Sequence, residues 1–208
     1  MYHYIVDPIF AKTGIGRGLS VSPTSFGKQL DWLSAHGYHT ASFDQWIHQT
    51  LPQKPIILTF DDGYEDAHSA ALPALEAHHM TGTFYIVTGF IGKPGYMTWN
   101  ELQDLQQQGM EIGAHTVSHQ DLSKLTPALQ QKQIMQSIDT LQATLHFTIE
   151  TFAYPSGKYN ASTKKILQKA HIPYAVSTHH GIATKKSDSL ALPRIRMHDT
   201  MNLGETLS

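Results

Sequence analysis

Asp61 and Asp62 stand side by side at the end of an apolar run, Ile56, Ile57, Leu58 and Phe60, and Gly63 follows at once. The run reads as a buried strand bounded by Pro55 upstream and Gly63 downstream. Burying a charge is costly unless it is paired or bound to metal, so two acids at the lip of a core strand call for a neutralising partner. Side chains alternate along a strand, and glycine permits a sharp turn, so the two carboxylates point in different directions and can do different work. Asp-Gly is also a common turn dipeptide, and an Asp there can cap the following helix. The pair alone leaves that reading open. His115 and His119 are four apart, so a helical turn would aim both imidazoles at one ion. Among 14 histidines such a spacing is expected by chance; its weight comes from following a predicted strand end, with Gly113 just before it. Two histidines and one carboxylate make a three-ligand set for a divalent ion such as zinc, with positions left for water and substrate. The carboxylate kept off the metal can take a proton, which is a hydrolytic layout.

The elements that must position these groups alternate between strand and helix. Met1 to Val6 is strand-like and carries His3. A glycine-containing stretch with Gly14, Gly16 and Gly18 lacks the strand–helix frame of a phosphate loop and reads as a flexible connection. Ser22-Pro23 opens a helix with Phe26, Leu30 and Leu33 on one face, ending near Gly37. Tyr38 to Ser42 reads as a strand and Phe43 to His48 as a short helix. Glu65 to His79 reads as a helix bent near Pro73. Thr81 to Val87 is strand-like, and Thr98-Trp99-Asn100-Glu101 is a capping box that starts a helix running to Gly109. Met110 to Ala114 hands the chain to the histidine pair. Thr126-Pro127 opens a long amphipathic helix with Leu129, Ile134, Ile138, Leu141 and Leu145 on its buried face. Thr151 to Tyr154, a helix from Ala161 to Ala170, and strands near Tyr174 to Ser177 and Leu190 to Arg196 complete the pattern. Such alternation predicts parallel strands joined by crossover helices, with the chemistry where strands end. His3, Asp61, Asp62, His115 and Pro155-Ser156-Gly157 all fall at such ends.

The 208 residues suit one domain, and a formal net charge of -2 without a basic cluster argues against nucleic acid as partner. Cysteine is absent, so a transition metal would have to be held by His and carboxylate. No stretch approaches the ~18 consecutive apolar residues of a membrane span. No basic–apolar leader is visible at the start of the chain, and since the chain begins inside a strand, residues upstream of it are conceivable.

Thr59-Phe60-Asp61-Asp62-Gly63, His115-Thr116-Val117-Ser118-His119 and Phe152-Ala153-Tyr154-Pro155-Ser156-Gly157 together resemble the first three ordered motifs of the polysaccharide deacetylases, carbohydrate esterase family 4. The likeness extends to Met1-Tyr2-His3, Gly109 to Gly113 and Leu192-Pro193-Arg194-Ile195, and so to nearly the whole chain. It implies an α/β fold, a distorted, incomplete (β/α) barrel of TIM-like, seven-stranded form, with residues 1–208 as one deacetylase domain. It also implies hydrolysis of N-acetyl or, less often, O-acetyl groups on a carbohydrate, with an acetylated polysaccharide or oligosaccharide as partner and an extracellular or cell-surface setting. Carried over by position, Asp61 is the general base and Asp62, His115 and His119 hold the metal, with Zn2+ first and Co2+, Ni2+ or Fe2+ as other fits. The backbone N–H near Ser156 holds the oxyanion, and Tyr154 and Pro155 shape the wall. The chain departs from the common pattern at Ala153, where the third motif carries arginine; Arg194 is the candidate to supply that charge. The fourth motif, an Asp and Trp pair, has no match around Val176 to Gly181. Both departures resemble the branch that deacetylates poly-N-acetylglucosamine, in which the acid histidine comes from an N-terminal Tyr-His strand, here His3. His198, in Ile195-Arg196-Met197-His198-Asp199, is the rival acid. Tyr64, Tyr96, Trp99 and Tyr159 could stack on sugar rings, without a firm assignment. The readings that compete are an O-acetyl esterase and a non-catalytic carbohydrate-binding domain.

Overall fold

Six parallel strands, each hydrogen-bonded to the next in chain order, curl into a half-barrel in the computed structural model, which describes residues 1–10 and 14–207. In chain order the elements begin with α1 (Gly14–Leu19), α2 (Pro23–Ala35), β1 (His39–Thr40), α3 (Phe43–Ile47), β2 (Pro55–Ile56) and β3 (Thr59–Phe60). After a π-helical turn (Ala67–Ala71) come α4 (Leu72–Ala77), β4 (Thr83–Ile86), α5 (Trp99–Gln107), β5 (Glu111–Ala114) and α6 (Pro127–Leu145). The chain then forms β6 (Thr151–Ala153), α7 (Ala161–Lys169), β7 (Tyr174–His180), β8 (Leu192–Arg194) and α8 (Leu203–Thr206). The sheet order is β3-β4-β5-β6-β7-β8, and β1 pairs with β2 in a separate two-stranded sheet. No helix among the described residues is long and apolar enough to cross a membrane.

The N-terminal run closes the curl. Tyr2 bridges Phe60 in parallel, its N–H donating to the Thr59 carbonyl at 2.7 Å, while Met197 N–H donates to the Met1 carbonyl at 3.0 Å. The seventh position of the barrel is therefore taken by a single-bridge segment rather than a regular strand. This segment is what brings His3 beside the end of β3.

Local chemistry explains most boundaries. Ser22 caps α2, which has proline in its first turn, and Phe26, Leu30 and Leu33 are buried, as their spacing predicts. Thr98 and Glu101 form the anticipated capping box of α5. Thr126 accepts from the Leu129 N–H at the start of α6. Leu129 itself is half exposed, so the buried face of α6 begins instead with Gln130 and Ile134. The bend anticipated near Pro73 is a π-helical turn that precedes α4, which absorbs the ring without leaving the helical path.

Two further expectations about the elements fail. The apolar run before the acids is split: Pro55–Ile56 pairs with β1 and only Thr59–Phe60 joins the main sheet, because the chain crosses between sheets at Ile57 and Leu58. The segment read as a flexible connection contains α1, in spite of its glycines. Its two ends are tied by the bridge from Tyr4 to Ser20, and the Ser20 hydroxyl donates to the Gly16 carbonyl at 2.8 Å, so tertiary closure overrides weak helix propensity.

Gly113 serves the interior of the barrel. A Cβ there would fall 2.5 Å from the Tyr85 ring, which fills the space beneath the histidine loop and donates to or accepts from Thr151 Oγ1 at 2.7 Å.

Candidate active site

Just past the carboxyl end of β3 the two acids face different ways, as anticipated, although Asp62 already belongs to a turn. Asp61 turns toward Arg194, which reaches it from the end of β8 with two parallel bonds, Nη1 to Oδ1 and Nη2 to Oδ2, both 2.7 Å. Such a fork-to-fork pair fixes the carboxylate in orientation as well as in charge. Arg194 is itself anchored, Nε donating to the Ser177 carbonyl at 3.0 Å and Nη1 to Thr59 Oγ1 at 3.1 Å. Burial alone would raise the Asp61 carboxyl, but the charge and hydrogen bonds of Arg194, with His3 and His115 nearby, hold it below its ordinary value. Asp61 is thus kept ionised, although it is only 4 % exposed.

Asp62 turns the other way. Its Oδ1 lies 3.2 Å from His115 Nε2 and 3.2 Å from His119 Nε2, yet it is sealed from solvent and makes no hydrogen bond among the described residues. The nitrogens are near enough but not aligned for N–H donation. His115 Nδ1 sits 2.6 Å from the Ala153 carbonyl, which can only accept, so the proton is on Nδ1 and the Nε2 lone pair is left free. The ligand atoms of Asp62, His115 and His119 all lie within 4.8 Å of one another, a group able to hold a metal ion. An orphaned buried carboxylate oxygen, converging with two imidazole nitrogens of which one has a fixed free lone pair, fits a divalent cation. Burial would raise the Asp62 carboxyl, but the two imidazoles outweigh this and hold it well below the usual range. In turn the contact with Asp62 raises His119. Metal binding at this group therefore competes with protonation of His119.

The histidine loop departs from the helical turn anticipated for it. Residues 115–119 form a turn in which Thr116 has φ 67° and His119 φ 55°. The rings still converge, their centroids 4.9 Å apart. With Asp62 at φ 78° and Ser156 at φ 53°, four non-glycine residues around the site occupy the left-handed region. Each such residue stores on the order of 1–3 kcal/mol, and the packing around it must hold it there. Gly89 contributes on the far side, where a Cβ would run into the Val117 carbonyl that accepts the Gly89 N–H.

His3 is buried, and its Nε2 lies 4.0 Å from Asp61 Oδ2. Burial lowers its pKa, partly offset by Asp61 and Asp62. His198 is exposed; its carbonyl accepts from Gln29 Nε2 at 3.0 Å, and the adjoining Asp199 accepts from the Ser22 N–H and hydroxyl at 2.7 Å. That segment is committed to α2, and no ion pair joins His198 to Asp61 among the described residues. After β6, Gly157 N–H donates to the Tyr154 carbonyl and Lys158 N–H to the Pro155 carbonyl, bonds that leave the Ser156 N–H outside the turn's own closure. Ser156 is exposed at this rim, whereas Tyr154 is buried, its hydroxyl donating to the Leu190 carbonyl and its ring stacked 4.5 Å from Tyr159. Tyr154 therefore meets the site through its backbone.

Residues missed in the sequence are mainly carbonyls and small hydroxyls: the Ala153 and Ser177 oxygens and Thr59 Oγ1. Backbone oxygens carry no residue-type signal. A mainly apolar cavity of about 460 Å³ touches Thr59 and Arg194, and most of its other walls, such as Tyr38, Trp46, Ile56 and Leu192, are hydrophobic. The candidate metal group and the Asp61–Arg194 pair lie at the strand ends instead.

A half-barrel of parallel strands with an ionised acid and a His-His-Asp group at its rim is the arrangement of a hydrolase. The chain belongs to the polysaccharide deacetylase family: residues 48–175 match the family profile described as polysaccharide deacetylase. The protein YxkH of Bacillus subtilis (strain 168), named for the same family, is 30% identical over 207 residues, covering 97% of this chain and 71% of its own length. A poly-beta-1,6-N-acetyl-D-glucosamine N-deacetylase of Staphylococcus aureus (strain MSSA476) is 25% identical over 201 residues, with 88% and 69% covered. Among solved structures, the Streptococcus pyogenes deacetylase PplD in complex with acetate superposes with a TM-score of 0.92 at 30% identity, covering 100% of this chain and 96% of that one. The anticipated α/β half-barrel of the carbohydrate esterase family 4 type is thereby borne out.

Proposed function

We propose that this chain is a metal-dependent hydrolase that removes N-acetyl groups from an N-acetylglucosamine-containing polysaccharide, with residues 1–208 acting as one deacetylase domain. The observation that carries the reading is the division of labour between neighbours: Asp61 ionised and clamped by Arg194, Asp62 left with an orphan oxygen among two imidazoles. Asp62, His115 and His119 hold the ion, zinc being the first choice for two imidazoles and one carboxylate, with cobalt, nickel or iron as other fits. A divalent ion there supplies Lewis acidity, polarising the acetyl carbonyl and making bound water easier to deprotonate.

Asp61 takes the proton from the attacking water, its orientation set by the Arg194 fork. The Ser156 N–H donates to the oxyanion that develops on the acetyl group. His3, across from Asp61, gives a proton to the departing amine. Pro155 and the Tyr154 backbone hold the Ser156 turn in place. Likeness to a poly-beta-1,6-N-acetyl-D-glucosamine N-deacetylase supports the amide over the ester as substrate. An extracellular or cell-surface setting is part of the same proposal.

Two measurements test this reading. Acetate release from N-acetylglucosamine oligomers should require added zinc, cobalt or nickel, and should be lost on chelation and in Asp62→Ala. Release only from acetylated xylan would make the chain an O-acetyl esterase, and release from neither would leave it a binding domain. His3→Ala should lower turnover by about 10²–10⁴-fold, the usual contribution of a positioned acid, with metal content unchanged. Near-normal turnover in that variant would move the role to His198.

A further inference from the structure

The loop bearing both histidines is held from outside by a residue with no part in the reaction. Gln133, half-buried on α6, accepts the Val117 N–H at 3.1 Å and the Ser118 N–H at 3.0 Å on one oxygen, Oε1. Its Nε2 donates to Ser118 Oγ at 2.9 Å. One side chain thus makes three hydrogen bonds to the two residues at the centre of His115-Thr116-Val117-Ser118-His119. On the opposite side Thr88 and Gly89 donate to the carbonyls of Thr116 and Val117, at 3.1 and 2.8 Å, and within the loop Thr116 Oγ1 accepts the His119 N–H at 3.0 Å.

These contacts address a specific physical difficulty. Thr116 is β-branched and held at φ 67°, a conformation that such residues rarely adopt, and His119 is also left-handed. Released, the loop would relax toward ordinary backbone angles, and the two imidazoles would lose their common focus on Asp62. His115 is fixed independently by the Ala153 carbonyl, whereas, Asp62 apart, no hydrogen bond ties the His119 ring to another element among the described residues, so that ring is carried by the turn. Control of the turn is therefore control of the second imidazole.

We propose that Gln133 is a positioning residue for the metal group, setting the 116–119 turn so that His119 meets Asp62 and His115. The inference rests on the metal reading above for its consequence, but its structural half, the ordering of the turn, stands apart from it. Outer groups that orient metal ligands typically contribute about 10–100-fold in affinity, and Gln133 should fall in that range.

The test uses the full chain with Co2+ as probe, its affinity read by competition with a chromophoric chelator and its coordination by visible absorption. Amide exchange of Val117 and Ser118 is measured in parallel on the metal-free protein. Gln133→Ala should bind cobalt about 10–100-fold more weakly, with an altered absorption band and faster exchange at both amides. Gln133→Glu keeps an acceptor for both N–H groups and should recover most of the affinity. Gln136→Ala, an exposed position on the same helix, should behave as wild type. Unchanged affinity and spectrum in Gln133→Ala would overturn the proposal. If the wild-type chain bound no cobalt, the metal reading would fail on its own; unchanged exchange at Val117 and Ser118 in Gln133→Ala would then overturn the role of Gln133, and faster exchange would uphold it.

Discussion

Asp61→Asn should lower the rate constant for acetate release by about 10²–10⁴-fold while leaving cobalt affinity as in the wild type. Asparagine has almost the same shape, and its one oxygen can still accept from Arg194, but it cannot take a proton. The metal group is untouched, because Asp62 faces away from Asp61 toward His115 and His119. The asparagine amide would set donor against donor at one Arg194 nitrogen, where Asp61 now has two 2.7 Å bonds, so some stability will be lost. Turnover must therefore be measured well below the melting temperature of the variant, with folding checked by circular dichroism. Undiminished release from a folded Asp61→Asn chain would remove Asp61 as the base and leave the site without one. Loss of turnover together with loss of cobalt binding would instead mean that the two acids act as one unit.

Much of this site was legible because its elements obey simple periodicities. Strand–helix alternation is enough to predict neighbouring parallel strands, since each crossover returns the chain to the next position in the sheet. The two acids diverge as strand alternation predicts, but by another route: both lie past the two-residue β3, and Asp62 has already turned to φ 78°. The histidines are a different case. Their spacing predicted convergence through a helical turn, and convergence is found, but by way of left-handed Thr116 and His119. Nothing in a threonine announces a positive φ; it is imposed by Gln133, Thr88 and Gly89, which lie 15 or more positions from the loop residues they bond. Arg194 was legible only through resemblance, as a replacement for a charge missing at Ala153, because no local pattern connects residues 133 positions apart. Propensity misled in α1, where glycines hid a helix held by its ends, and periodicity misled at Leu129, which lies on the apolar face of α6 but in its first, uncovered turn.

Arg194→Met should destabilise the metal-free chain by about 3–5 kcal/mol near neutral pH, the cost of leaving one member of a buried ion pair without the other. Methionine roughly fills the space of the aliphatic stem, so the loss reads chiefly the charge and the hydrogen bonds to Asp61, Thr59 and Ser177. The sign of the pH dependence separates these contributions. In the wild type the folded-state pKa of Asp61 is depressed, so its contribution to stability is present above the unfolded value and is lost as pH falls through the folded one. In the variant burial, the largest influence on Asp61, is no longer opposed by the guanidinium, and the carboxyl moves upward. A raised carboxyl favours the folded state only while protonated, so the variant loses stability as pH rises from about 4 toward 7. The gap between the two proteins should therefore be narrowest in acid and widen toward neutrality when measured by urea unfolding in the presence of chelator. A gap that stayed constant with pH would assign Arg194 to its bonds with Ser177 and Thr59 and to packing alone. In that event the orientation of the base would have to come from His3 and the strand end, and turnover in Arg194→Met, measured on folded protein, would stay close to wild type.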